Sequence, residues 1–314
     1  MTARVTWIMP VKNGMPYLPE TLRSLREQTH RGAEILVWDN GSTDGTLEEL
    51  ARFVPGEIPG RVVTGRPSTV GGSLRRMVEE VGTEFCARID ADDVCLPDRL
   101  ERELRFLDDN PEVAVVGTQI ACIDATSAVR DYGMLPYPGS HEEIVLGLLC
   151  RNSMVHPTVV FRREAVLRAG NYSEVPNVED YELWLRMAAR GYRLHNLPEV
   201  LLRHRVHDGS TTMQAEREHR LRPLSDRCVI EQGPSLFGCP ASELVALREK
   251  QHRVSLLPIV QVILRVAREN RVSPLHLVRS RFISNGWFNV TQPEDRVSRV
   301  VLRAAGALGR ALGA

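Results

Sequence analysis

The chain has 314 residues, of which 43% are hydrophobic and 25% charged, the make-up of a soluble globular protein. That excludes a collagen, a wholly disordered chain and a short disulfide-stapled toxin. Forty basic residues cancel forty acidic ones, which excludes a strongly basic nucleic-acid-binding protein. The length suffices for two domains, or one large domain with an appendage.

The charge is unevenly placed. Residues 241–314 hold 12 Lys and Arg against 5 Asp and Glu, so the preceding part carries an acidic excess of the same size. The six cysteines form no C-x-x-C pair and no zinc-type spacing with histidine, which reads as reduced thiols in a cytoplasmic protein. No leader peptide is legible, and Val254–Ala267 is too short and too interrupted to span a bilayer.

In chain order, Val5–Met9 is a buried strand ended by Pro10, and Tyr17–Gln28 is a helix with Leu18, Leu22 and Leu25 on one face. Glu34–Trp38 is a second strand running into the turn cluster Asp39-Asn40-Gly41-Ser42, with Thr43 or Asp44 capping the next helix. Arg61–Thr64 is a strand, Ser73–Val81 a helix and Glu84–Ile89 a fourth strand. This alternation predicts an α/β fold with a mostly parallel central sheet flanked by helices. Pro97–Asn110 follows as a helix, Val113–Ile123 as a strand and Asp131–Ser140 as a loop. Then come a strand at Pro157–Phe161, a helix at Asp180–Arg190 and short strands at Arg193–Leu197 and Val200–Arg205. Beyond residue 212 the pattern is helical and basic, a helical C-terminal extension.

Ligands of such sheets lie outside the carboxyl ends of the strands, where Pro10, Asp39 and Asp90 fall. Asp90-Ala91-Asp92-Asp93 places three mutually repelling carboxylates at a strand end. Oxygen ligands of this kind suit Mg²⁺ or Mn²⁺, which commonly also hold a phosphate. The plainer reading is a solvated acidic turn. Asp39 and Asn40 either form a turn or meet a nucleobase edge; neither a G-x-G-x-x-G nor a Walker A loop is present. Glu179 and Asp180 open a helix, either as dipole compensation or as a general base beside a bound sugar. Arg203, Arg205 and His207 share strand parity. Arg205 suits a diphosphate, and His207 a metal or the diphosphate. The alternative is a basic strand exit paired with surface acids. His156 reads as a core or pocket-wall histidine.

Taken together, Pro10-Val11-Lys12-Asn13-Gly14, Val37-Trp38-Asp39-Asn40-Gly41-Ser42-Thr43-Asp44-Gly45-Thr46 and Ala87-Arg88-Ile89-Asp90-Ala91-Asp92-Asp93 resemble the family 2 glycosyltransferases. So do Pro97-Asp98-Arg99-Leu100, His156-Pro157-Thr158, Glu179-Asp180-Tyr181-Glu182-Leu183-Trp184-Leu185 and Arg205-Val206-His207. The resemblance covers roughly residues 4–212 and implies the glycosyltransferase-A fold. It implies a catalytic domain over 1–212, with a nucleotide-binding half to about 95 and an acceptor half from about 96, and a basic helical region over 213–314. It implies Asp180 as catalytic base with Glu179 beside it. Donor contacts would come from Pro10, Val11, Asn13, Asp39, Asn40, Arg75, Arg76, Asp90, Ala91, Asp92, Arg205 and Ser210. The metal, Mn²⁺ or Mg²⁺, would sit on Asp92, on Asp90 or Asp93, and on His207. His156 and Trp184 would lie on the acceptor side.

The implied reaction is inverting transfer from a nucleoside-diphosphate sugar to a saccharide or lipid-linked acceptor, in cell-surface glycan synthesis. Asn40 departs from the family's second Asp, and Q-x-x-R-W is absent, which speaks against a processive membrane synthase. The alternatives are a sugar-phosphate nucleotidyltransferase and a catalytically idle sugar-nucleotide-binding domain. A helical face of Val297, Val300, Val301, Ala304, Ala305 and Leu308 ringed by Arg299, Arg303 and Arg310 suits either peripheral contact with an anionic membrane on its inner face or packing on the catalytic domain or a second subunit.

Overall fold

The computed structural model describes residues 3–65, 68–133, 136–210, 218–248, 256–272 and 277. The apolar helical face at 297–308, and Thr211 and Thr212, lie outside the described residues.

Eight strands form one sheet: β1 (Val5–Val11), β2 (Ala33–Asp39), β3 (Gly60–Thr64), β4 (Phe85–Arg88), β5 (Val94–Cys95), β6 (Val113–Ile123), β7 (Val160–Arg162) and β8 (Arg193–Arg205). Their order is β3-β2-β1-β4-β7-β6-β8-β5. The β3-β2-β1-β4 half is parallel, as is β6 with β8. The strand β7 runs antiparallel to both β4 and β6, and β5 antiparallel to β8. The sheet is therefore mixed, and "mostly parallel" holds for its β3-β2-β1-β4 half.

Two helical layers cover it. The first contains α1 (Leu18–Arg26), α2 (Thr46–Phe53) and α4 (Arg99–Asp109). Leu18, Leu22, Leu50, Leu100 and Leu107 pack there on Val5, Trp7, Met9, Ile35 and Val37. The second contains α3 (Val70–Glu80), α5 (His141–Leu148), α6 (Arg163–Arg168), α7 (Glu179–Ala189), α8 (Leu221–Phe237), α9 (Ala241–Arg248) and α10 (Leu256–Glu269). Leu74, Ile144, Trp184, Val229 and Val262 pack there with Ile8, Leu36 and Trp38. The alternation of β1 and β2 residues between the two cores is the period-two signature of strands covered on both faces. Burial of each large apolar side chain contributes about 1.5–3 kcal/mol. Among the described residues no helix is long and apolar enough to cross a membrane.

Four elements differ from the sequence expectation. The helix α5 was not anticipated: seven of its eight residues are buried, so it lacks a polar face, although Ser140 and Glu143 form a capping box. The expected strand at Pro157 begins as a 3₁₀ turn, His156–Thr158, before β7. The two short strands at 193–205 are one, with the register slipping between Gly117/Asn196 and Gln119/Val200 around Pro198. The residue at the start of α2 is Gly45 at φ +90°, not Thr43 or Asp44.

Candidate active site

The loops after β1 and β2 are bonded to each other at the sheet's carboxyl edge. The Asn13 amide donates to Ser42 Oγ (2.8 Å), and Asn13 Oδ1 accepts from the Thr43 amide (2.9 Å). Gly14 N donates to Thr46 Oγ1 and Met15 N to Asp44 Oδ2. Asn13 reaches this geometry at φ +54°, a backbone region Asn tolerates better than most residues. Val11 accepts from the Asn40 amide, and Pro10 and Val11 are buried.

Asp39 is 1% exposed and accepts from the Gly41 and Ser42 amides, so its carboxylate shapes its own loop. Asn40 Oδ1 accepts from Ser68 N and Ser73 Oγ, both at 3.1 Å. That oxygen ties the loop to α3 and is not presented to a nucleobase.

The second cluster follows β4. Asp90, Asp92 and Asp93 each place a carboxylate oxygen within 4.8 Å of the others. Asp93 is fully buried and accepts from Arg205 N (2.8 Å) and His204 Nδ1 (3.1 Å). Burial opposes charge on His204, but Asp93 outweighs it, with Asp90 and Asp92 adding, and its pKa rises to about 9. Asp92 Oδ2 meets His207 Nε2 at 2.9 Å. Asp90 meets Arg88 Nη1 at 2.5 Å. Ala91 lies against Gly14, bringing the two loops together. This donor set of carboxylates and an imidazole fits a hard divalent cation.

The expected diphosphate ligand Arg205 is differently employed. Its guanidinium is buried and donates to Asp92 O, Asp124 O, Ser127 Oγ and Glu20 Oε2. It also covers the Tyr17 ring, centroid 4.5 Å away, and that ring packs on His207. Arg205 is thus a strut beneath Asp92 and His207 in this structure, with its donors engaged by protein. Arg203 is exposed although Arg205 is buried, and β8 ends at Arg205, so His207 lies beyond the strand. The Ser210 amide donates to His207 O. Arg75 is exposed and turned toward Tyr172 O and Glu79, and Arg76 lies over Trp38.

The third cluster opens α7. The Asp180 carboxylate is 15% exposed. Its Oδ1 accepts from the Tyr181 amide (2.7 Å) and its Oδ2 from Asn152 Nδ2 (2.6 Å). His156 Nδ1 stands 4.0 Å from that same Oδ2, and His156 Nε2 pairs with the Tyr172 hydroxyl at 2.9 Å. Burial and the Arg88 charge hold His156 neutral. Burial raises the Asp180 pKa against its two donors. Glu179 is raised to about 7 by burial and by Asp180, and its Oε2 has no hydrogen-bond partner among the described residues. The two donors on Asp180 favour its charged form against burial. Trp184 is fully buried, edge-on to His156, and offers no face to an acceptor.

Arg88 joins the second and third clusters. It is 3% exposed, and its charge is sustained against burial by Asp90, with Tyr172 and Glu179 adding. Arg88 has no role in the sequence reading beyond its place in a matching stretch, and no periodic or motif signal there points to Asn152, Tyr172 or His204. A cavity of about 340 Å³ lined by Thr6, Glu34, Gly60, Arg61 and Glu80 lies at the opposite, amino end of the strands and holds none of these groups.

The parallel half-sheet thus carries a carboxylate cluster at its edge, faced across the buried Arg88 by the acid-headed helix α7, on a glycosyltransferase-A fold. Solved structures share the fold at low identity. S. aureus TarS residues 1–349 in complex with UDP-GlcNAc aligns with TM-score 0.57 at 16% identity, over 98% of this chain and 92% of that one. The mannosyltransferase PcManGT from Pyrobaculum calidifontis, in complex with GDP-Man and Mn²⁺, aligns with TM-score 0.54 at 21% identity, over 99% and 79%. Residues 6–169 match the model of Glycosyl transferase family 2, and the chain belongs to that family. It is a glycosyltransferase. Similar curated proteins include the amylovoran biosynthesis glycosyltransferase AmsE of Erwinia amylovora, 31% identical over 64% of this chain and 74% of that protein. Another is the O-antigen biosynthesis glycosyltransferase WbnJ of Escherichia coli, 29% identical over 67% and 83%.

Proposed function

We propose that this glycosyltransferase moves a sugar from a nucleoside diphosphate to an acceptor hydroxyl with inversion, in the building of a cell-surface polysaccharide or O-antigen-like glycan. The observation that carries the reading is Asp180: a partly exposed carboxylate held by Asn152 and its own helix, across Arg88 from the acidic cluster. Asp180 takes the proton of the acceptor hydroxyl as that oxygen bonds to the anomeric carbon and the bond to the diphosphate oxygen breaks. One displacement inverts the configuration. Asp92, His207 and Asp90 would hold Mg²⁺ or Mn²⁺, which when bound supplies charge stabilisation to the departing diphosphate. Asp93 is committed to His204 and the Arg205 amide, so it braces the cluster. Pro10, Val11, Asn13 and Asp39 form the nucleoside side through their joined loops. Names of relatives and the bound ligands of the structural neighbours support a nucleotide-sugar donor, UDP- or GDP-linked.

We take residues 1–212 as the catalytic part and 213–314 as an appended helical region. A screen of UDP- and GDP-sugars with Mn²⁺ and Mg²⁺, read by thermal shift and by release of nucleoside diphosphate, tests the reading. Release of pyrophosphate from a nucleoside triphosphate and a sugar phosphate would instead favour a nucleotidyltransferase.

A further inference from the structure

The appended helices pack on α5 and α7, and one of their buried side chains hydrogen-bonds to both segments. Arg248, the last residue of α9, is 2% exposed. Its guanidinium donates to Leu149 O (2.7 Å) and the Tyr181 hydroxyl (2.9 Å), and on its other side to Asp226 Oδ1 (2.5 Å) and Ser225 Oγ (2.7 Å). The Tyr181 hydroxyl in turn donates to Leu148 O. The carbonyls at the end of α5 are thus held from α7 and α9 together. Three residues past Leu149 stands Asn152, which donates to Asp180; one residue before Tyr181 stands Asp180 itself.

Two cross-links therefore join the same two segments. One, Asn152 to Asp180, is in the site. The other, Leu149 and Leu148 to Tyr181 and Arg248, lies behind it. A buried guanidinium with four protein acceptors is costly to leave unpaired, so its position is strongly determined. It fixes the spacing between the end of α5 and the first turn of α7, and the 2.6 Å bond to Asp180 depends on that spacing.

We propose that Arg248 is a positioning residue for the catalytic carboxylate, acting through Tyr181 and the 148–152 segment, so that α8 and α9 are part of the catalytic scaffold. This rests on the reading of Asp180 as the base. The test uses the full chain and the variants Arg248→Met, Arg248→Lys and Tyr181→Phe. Hydrogen exchange read by mass spectrometry should rise over residues 148–155 and 178–183 in Arg248→Met and Tyr181→Phe, stay unchanged over β1 to β3, and return part-way in Arg248→Lys. Binding of UDP or GDP with Mn²⁺, by calorimetry, should stay within a few-fold of the parent. Where a donor is turned over, kcat should fall at least about tenfold with KM nearly unchanged, the scale of one hydrogen bond to a charged group.

Unchanged exchange at 148–155 and 178–183 in a folded Arg248→Met variant overturns the proposal. Should Arg248→Met fail to fold, Tyr181→Phe decides: no rise in exchange there overturns it equally. Full turnover by Asp180→Asn alongside raised exchange in the Arg248 variants sinks the base assignment instead and leaves the clamp standing.

Discussion

Asn152 donates to the same Asp180 oxygen that faces His156 at 4.0 Å, and the Asn152 bond, at 2.6 Å, is the shorter by far. His156 is held neutral by burial and Arg88, so it does not compete for the proton Asp180 must take. Replacing Asp180 by Asn keeps the shape and removes the base. Turnover should fall by about 10²–10⁴-fold, while binding of UDP or GDP with Mn²⁺, followed by calorimetry, is retained. Asn152→Ala should cost less, roughly 10–100-fold in kcat, the size of one bond to a charged acceptor. A fully active Asp180→Asn enzyme removes Asp180 from the mechanism.

The acidic cluster predicts a separate phenotype. The Asp92 and His207 side chains meet each other at partly exposed positions, so Asp92→Ala and His207→Ala should leave the fold intact. Each should weaken nucleotide binding only when the divalent ion is present. Chelation should reduce the parent's nucleotide affinity to that of the variants. Equal loss of affinity in metal-free buffer contradicts the assignment.

Arg205 separates two roles that the sequence left open. A diphosphate ligand lost to mutation lowers donor affinity and leaves stability alone. A buried strut with Glu20, Asp124 and Ser127 as partners does the reverse first. Arg205→Ala should destabilise by about 1–3 kcal/mol, the cost of leaving buried acceptors without their donor, visible as a drop in thermal midpoint without nucleotide. A normal midpoint with lost donor binding returns Arg205 to the diphosphate.

That reversal marks where sequence reading stops. The strands β1, β2 and β4 were legible because each is a short apolar run ending in turn residues, and their ends located Asp39 and Asp90. The helix α7 was legible from its period, and Asp180 from its place at the helix start. What a side chain does there depends on distant partners. Glu20 is 185 residues from Arg205, and Ser68 and Ser73 reach Asn40 from the loop before α3 and from α3 itself. No local pattern encodes those contacts. Trp184 looked available because a helix-start motif contains it, yet its position on α7 faces the core. The helix α5 escaped notice because burial on nearly every side erases the polar stripe that betrays a surface helix.

Glu179 gives a pH signature independent of turnover. Its carboxyl is pushed up to about 7 by burial and by Asp180, against an ordinary value near 4.5 when unfolded. The folded state therefore holds this proton more tightly than the unfolded state. Stability from this group is greatest below about pH 4.5 and declines as pH climbs to about 7, above which the folded protein carries the full penalty of a buried charge. Glu179→Gln fixes the group in its neutral form. Thermal midpoints of parent and variant, taken across pH 4 to 8, should converge at the acid end, with the variant increasingly the more stable toward pH 8. A constant difference across that range means that Glu179 titrates like an exposed carboxylate.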